Sequence, residues 1–284
     1  MRPALRDWGR AEMSAASLFD VASLADEVRS AQDATRQIAP FSSRFAGFDV
    51  AAGYAVAAQV HALRTREGDV AVGRKIGFTN PAVQREYNVR EPVWGTIYKR
   101  TFISLDPADA PFAIGHLAQP RIELEIVLHF KSSPPVNGDP DAILACIDWV
   151  AHGFEIVQSN YPDWKFRAAD AVADNGMHGA LLIGKPQPVA TLGDDLVRAL
   201  ETFSLLLTCD GQLRDSGTGA NVFGNPLKAI SHLTKVLARQ GMLLQAGEVV
   251  TTGTITSAPR IRAGETWSTE VSGISLPGIR AEFG

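Results

Sequence analysis

Residues 120–130 read Pro120-Arg121-Ile122-Glu123-Leu124-Glu125-Ile126-Val127-Leu128-His129-Phe130. Ile122, Leu124, Ile126, Leu128 and Phe130 recur at every second position, the mark of a strand with one face in a core. The other face carries Glu123 and Glu125, about 7 Å apart, with Arg121 before them and Val127 and His129 after. Two carboxylates facing the same way repel unless protonated, screened or bound to a cation. On pattern alone a solvated outer face explains them, since alternation with polar residues is the norm on antiparallel sheets. Only other acids and a basic residue brought to the same place would displace that reading.

Such groups lie on either side. Phe154-Glu155-Ile156-Val157-Gln158 reads as a short strand with one carboxylate in an apolar setting. Val70 to Phe78 reads as a strand holding Arg74 and Lys75, and leads into Thr79-Asn80-Pro81, a turn or helix-start signal. A surface lysine snorkelling past the sheet and a functional one fit Lys75 equally. Glu123, Glu125 and Glu155 together form an oxygen-only set that suits Mg²⁺ or Mn²⁺, whereas zinc favours thiolate and histidine ligands. A cation held there would chelate a 2-oxo acid through its carboxylate and keto oxygen and stabilise the enolate as a Lewis acid. Lys75 would balance that charge or pass a proton.

The rest of the chain frames an α+β domain. With 284 residues, 45% apolar and 20% charged, it has the composition of a globular protein. A net charge of −4 gives no electrostatic case for nucleic acid, and no run is apolar enough for a membrane span. Two cysteines without a CxxC pattern suit a reducing cytoplasm. Met13 is a candidate start, with residues 1–13 a disordered extension. Residues 18–39 have a helical stripe stopped by Pro40, and Val50 to Arg66 a second helix capped by Asp49, so residues 1–69 form a helical segment. From residue 70 to 284 strands outnumber helices. Glu91-Pro92-Val93-Trp94-Gly95 reads as a loop, Thr96–Leu105 as a strand, Pro140–His152 as a helix, and Tyr161–Gly179 as a long polar loop carrying His178. Asp210-Gly211 closes a hairpin, and Asn225-Pro226 opens a helix ending at Gly241.

Lys75-Ile76-Gly77, Pro120 to Glu125, Phe154 to Val157 with Asp163-Trp164-Lys165, Asp174-Asn175, Gly224 to Leu227 and Ala246 to Thr254, in this order, resemble the 2-oxopent-4-enoate hydratase and 4-oxalocrotonate decarboxylase group of the fumarylacetoacetate hydrolase superfamily. The resemblance implies a mixed β-sandwich or roll with N-terminal helices. It implies a homo-oligomeric, cytoplasmic lyase acting on a short unsaturated 2-oxo or 2-hydroxydienoic acid from aromatic-compound breakdown. Glu123, Glu125 and Glu155 would bind Mg²⁺ or Mn²⁺, Lys75 would be catalytic, and Gly253 and Thr254 would line the substrate-carboxylate end. Arg74, Trp94 and Lys165 join them as expected substrate-binding residues. Hydratases of the group carry Pro-Asp-Phe-Gly where this chain has Pro92-Val93-Trp94-Gly95. Decarboxylation, which needs no added water, tolerates that loss better; His178 would otherwise supply the acid–base group. Asn175 stands where the hydrolase branch has a lysine, which disfavours C–C hydrolysis of an acylpyruvate. A homologue that binds 2-oxo acids without turnover is the alternative.

Overall fold

The computed structural model describes residues 19–89, 91–106 and 110–284; the candidate start at Met13 and the extension before it lie outside them. The described chain opens on helices α1 (Val21–Asp33), α2 (Phe41–Arg44) and α3 (Val50–Arg66). Asp20 and Asp49 cap α1 and α3 by accepting first-turn amides, each cap contributing about 1 kcal/mol. Then come β1 (Ala71–Gly77), α4 (Pro81–Tyr87), β2 (Val93–Tyr98), β3 (Phe102–Ser104), β4 (Arg121–Phe130), α5 (Pro140–Leu144), β5 (Ile147–Val157), α6 (Ala168–Ala173), β6 (His178–Ile183) and β7 (Gln187–Pro188). The chain closes with α7 (Leu196–Thr202), β8 (Ser204–Cys209), β9 (Gln212–Thr218), α8 (Pro226–Arg239), β10 (Val249–Thr251), β11 (Thr266–Ser272) and β12 (Arg280–Glu282).

An 8-stranded sheet runs β2-β1-β10-β4-β5-β6-β3, with β7 added beside β5. Its β1–β10 and β3–β6 pairs are parallel. A 4-stranded antiparallel sheet, β12-β11-β8-β9, forms the second layer. The period-two residues of β4, from Ile122 to Phe130, are buried in one core with Leu205 and Trp267 of the smaller sheet and Leu200 and Leu233 of α7 and α8. The larger sheet curls, so that Ile97 of β2 and Leu181 of β6 meet Val127 of β4 in a separate apolar cluster. That curl turns the second face of β4 inward. Glu125 is 0% exposed, which overturns the solvated-face reading. The N-terminal helices pack on Tyr161, Trp164, Ala171 and Met177 in a third cluster.

Several local expectations give way to tertiary structure. Helix α1 ends at Asp33, well before Pro40, because Thr35 turns left-handed (φ 50) and Arg36 N donates to Ala31 O, closing the helix in a Schellman motif. The loop expected at Glu91–Gly95 is half strand, since Val93 to Gly95 pair with β1. The strand expected over Thr96–Leu105 is broken by a 3₁₀ turn at Lys99–Thr101. The helix expected over Pro140–His152 stops at Leu144, because Ile147 to His152 pair with β4. Ile143, Ile147 and Val150 have helical spacing, but a register shift, with Phe130 opposite Ile147 and His129 opposite Trp149, lets Ile147 and Val150 both be buried from a strand, and cross-strand packing decides. Tyr161–Gly179 is no polar loop. It contains α6 and is largely buried.

Candidate active site

Strands β4 and β5 pair with Glu123 opposite Glu155 and Glu125 opposite Gly153. Directly opposed residues of an antiparallel pair share a face, so register alone sets Glu155 beside Glu123 and diagonal to Glu125. One oxygen from each of the three lies within 4.8 Å of the other two. Lys75 arrives from β1 on the same inner face, 2% exposed, with Nζ 3.2 Å from Glu155 Oε1. The snorkelling reading of Lys75 is thereby excluded.

Electrostatics divides the three acids. Burial works against ionisation of Glu155, but Lys75 and then His178 hold its pKa down at about 2. Burial pushes Glu123 up to about 7 against the pull of Lys75, and pushes Glu125 well above the carboxylate range, with Glu155 and Glu123 adding to it. Burial lowers the Lys75 pKa, yet Glu155, Glu123 and Glu125 outweigh it and keep the ammonium charged. The hydrogen-bond accounting is incomplete at this spot. Gly253 N donates to Glu125 Oε2 at 2.7 Å, while Glu125 Oε1 and Glu155 Oε2 are buried with no partner. An unmet buried acceptor costs roughly 1–3 kcal/mol, and a hard cation taking both oxygens removes that cost. The donor set therefore fits an oxygen-coordinated divalent ion.

The other expected residues separate into two groups. His178 stands behind Glu155: Nδ1 meets Glu155 Oε1 at 2.9 Å and Nε2 meets Thr101 Oγ1 at 2.9 Å. It positions a carboxylate and does not border the cavity beside Lys75. Gly253 takes φ 103, and a Cβ there would fall 1.7 Å from Thr79 Oγ1, so only glycine can present this amide to Glu125. Thr254 borders the cavity. Arg74 and Trp94 do not reach it, because alternation puts Arg74 on the opposite face from its neighbour Lys75. There Arg74 pairs with Glu248 at 3.3 Å and lies 4.9 Å over the Trp94 ring, and Trp94 stacks on Tyr54. Lys165 is also misplaced as a substrate contact: its side chain is 81% exposed and its amine sits 3.6 Å from Asp163.

The cavity opens at Lys75 and Glu123 and is walled by Phe78, Tyr87, Trp164 and Met177. Phe78, Trp164 and Met177 have φ of 60, 59 and 64, a region bulky residues rarely occupy. Strain of roughly 1–3 kcal/mol per residue collects at functional sites, and here three such residues line one cavity. Gly176 belongs to the same wall, and a Cβ there would press within 2.8 Å of Lys75 Cδ. A larger hollow on the far side of His178, lined by Arg64, Arg100 and His116, includes none of the three glutamates. Sequence reading missed Arg121, which borders the cavity, although its period-two relation to Glu123 places both on one face. The strained aromatic walls left no comparable signal.

The fumarylacetoacetate (FAA) hydrolase C-terminal family matches residues 70–278. A 2-keto-4-pentenoate hydratase of Burkholderia vietnamiensis is 33% identical over 93% of this chain and 97% of its own length. A 4-oxalocrotonate decarboxylase of a Pseudomonas species is 29% identical over 74% of this chain and 78% of its own. Among solved structures, the 4-oxalocrotonate decarboxylase from Pseudomonas putida G7, complexed with magnesium and adipate, superposes with a TM-score of 0.84 at 25% identity, covering 93% of this chain and 97% of that one. The curled sheet, the β4–β5 glutamates and the buried lysine thus occur in a chain that belongs to the fumarylacetoacetate hydrolase family, in its hydratase and decarboxylase group.

Proposed function

We propose that this protein is a Mg²⁺- or Mn²⁺-dependent lyase acting on a short unsaturated 2-oxo or 2-hydroxydienoic acid from aromatic-compound breakdown. The observation that carries this reading is the convergence of Glu123, Glu125 and Glu155, two of their oxygens open, beside the Lys75 ammonium. Those three glutamates would hold the ion, which when bound supplies Lewis-acid polarisation of an oxo acid. The names of the relatives, hydratases and decarboxylases, supply the reaction class.

Each protein group has a part. Lys75 faces the cavity with a charged amine that can balance negative charge developing on the substrate's oxo oxygen or deliver a proton to its carbon chain. Gly253 and His178 fix Glu125 and Glu155 from behind, as outer partners of a metal site do. Trp164 and Met177 wall the apolar part of the cavity and are themselves covered by the N-terminal helices, so helices α1 to α3 support the catalytic part that follows residue 70. Water exclusion by these walls strengthens every charge interaction inside.

Between the two lyase reactions, Val93 favours decarboxylation. Val93 Cγ2 and Lys75 Nζ each lie 3.7 Å from the point where a Cβ on Gly77 would stand. A buried hydrocarbon thus occupies the neighbourhood of the ammonium, where water addition needs a polar group to orient the nucleophile. Two unpaired cysteines, Cys146 and Cys209, suit a cytoplasmic enzyme, and a homo-oligomer completes the proposal, tested by light scattering.

The decisive experiment strips divalent ions with a chelator, restores Mg²⁺ or Mn²⁺, and offers 4-oxalocrotonate and 2-hydroxypent-2,4-dienoate in turn. Expected is cation-dependent release of CO₂ from the first, with water addition to the second slower and raised by Val93→Asp. Absence of turnover on both, with cation-dependent binding intact, would replace the lyase by a 2-oxo acid-binding homologue.

A further inference from the structure

We propose that Asn175 is a positioning residue for Lys75: its side-chain amide closes the open edge of β2 and thereby presses the turn 175–177 onto the lysine's stem. The proposal deepens the lyase reading above and rests on it for the role of Lys75. An ammonium at the end of a flexible alkyl stem stays on target only if the stem is held.

The 8-stranded sheet begins at β2, so among the described residues no strand lies along its outer edge. Asn175 takes that place. Its Oδ1 accepts from Thr96 N at 2.7 Å and its Nδ2 donates to Thr96 O at 2.9 Å, the two bonds a neighbouring strand would exchange with it. Thr96 follows Gly95, which stands opposite Lys75 in the β1–β2 register. A Cβ on Gly95 would fall 2.2 Å from Asn175 O, so the turn lies directly against the strand. Gly176 meets the lysine in turn, since a Cβ on it would fall 2.8 Å from Lys75 Cδ and 3.4 Å from Gly95 N. The turn is wedged between β2 and the stem whose amine reaches Glu155.

This wedge is not relaxed backbone. Asn175, Gly176 and Met177 take φ of 54, 64 and 64 in succession, a left-handed run that L residues avoid. Such conformations persist where the surroundings over-determine them. Asn175 holds one side of the turn. On the other, Asp174 accepts from Gln32 Nε2 at 2.9 Å and Asn160 N at 3.2 Å. Asparagine suits position 175 twice over, tolerating positive φ and carrying both an acceptor and a donor.

Asn175→Gly removes the clamp while still allowing positive φ; Asn175→Asp keeps an acceptor for Thr96 N and loses the donor to Thr96 O. In Asn175→Gly kcat should fall by about 10- to 100-fold, the scale of a misplaced catalytic group, and in Asn175→Asp by less. Mn²⁺ affinity and KM should stay within about threefold, since the glutamates are untouched. In a Lys75→Met background Asn175→Gly should change kcat by no more than about twofold, because nothing is left for the clamp to position. Competitive acetylation reads the same point without turnover. Lys75, 2% exposed, should react about 10-fold faster in Asn175→Gly, relative to the exposed Lys131. An undiminished kcat, an equal fall in both backgrounds, or unchanged acetylation of Lys75 overturns the assignment. Should Asn175→Gly not fold, Asn175→Asp carries the same cycle and decides. A wild type without turnover sinks the lyase reading, and the acetylation contrast then decides the clamp alone.

Discussion

Two groups of buried acids occupy this interior, and they are finished differently. In α6 and just beyond it, Asp170 accepts from Ser42 N, Ser42 Oγ and Arg167 N, and Asp174 accepts from Gln32 Nε2 and Asn160 N. Every oxygen of that pair is met, and the acids tie α1 and α2 to α6. In the β4–β5 roll, Glu125 and Glu155 each keep one oxygen buried and unmet. Burial of an acid therefore does not distinguish chemistry from architecture; incomplete satisfaction does. The first group is complete as it stands, and the second is complete only with a cation.

The largest effect that would break this contrast comes from exchanging the groups' roles by mutation. Glu155→Gln should weaken cation binding by about 100-fold or more and remove turnover with it. Asp170→Asn should lose about 1–3 kcal/mol of stability, seen as a lower Tm, with turnover per folded molecule within about twofold of wild type. A dead but folded Asp170→Asn enzyme, or a Glu155→Gln enzyme that still turns over, would erase the distinction.

A second, smaller effect concerns Lys75. Replacing it by Met should lower kcat by about 10² to 10⁴ while cation-dependent binding of a 2-oxo acid persists, since the glutamates supply the grip. Equal losses in binding and kcat would reassign Lys75 to holding the site together. Some loss of stability is also expected, because Glu155 is left as a buried charge without its counter-ion.

The smallest effect is a pH dependence that sharpens the comparison. Burial raises Glu123 to about 7 and Glu125 further, so in cation-free protein their contribution to stability is full below about 4.5 and is lost as pH rises through about 7. Asp174, raised by burial to about 7, moves in the same direction. Melting of chelator-treated protein should therefore fall by a few degrees between about pH 5 and about pH 8. Saturating Mg²⁺ should cancel the glutamate share, since binding displaces those protons, and leave the Asp174 share in place. A cation that leaves the whole slope unchanged would argue that it binds elsewhere.

Much of this was legible in the chain, and what was not has physical causes. The β4 strand, the Lys75 strand, the Asp49 and Asn225 caps and the Asp210-Gly211 turn, where both residues have positive φ, follow from local rules of period, capping and turn chemistry. Alternation says which residues share a face, and applied strictly it separates Arg74 from Lys75 and joins Arg121 to Glu123, yet the sequence reading counted Arg74 among the substrate-binding residues and left Arg121 out. It does not say whether a face is wet. That depends on the curl that brings β2 and β6 over Val127, and no local pattern encodes it. The convergence of the three acids likewise rests on the Glu123–Glu155 register, set by long-range pairing. Residues 147–152 were lost to the helical reading because Ile147 and Val150 stand three apart, a spacing the strand accommodates only through its register shift against β4.

The central claim is that one hard cation completes the unmet oxygens of the β4–β5 roll. Anomalous scattering from crystals of chelator-stripped protein soaked in Mn²⁺ addresses it most directly. The expected result is a single strong peak ligated by Glu123, Glu125 and Glu155, lost in Glu155→Gln crystals. Manganese bound at other residues with that trio left empty, or a peak indifferent to Glu155→Gln, would contradict it.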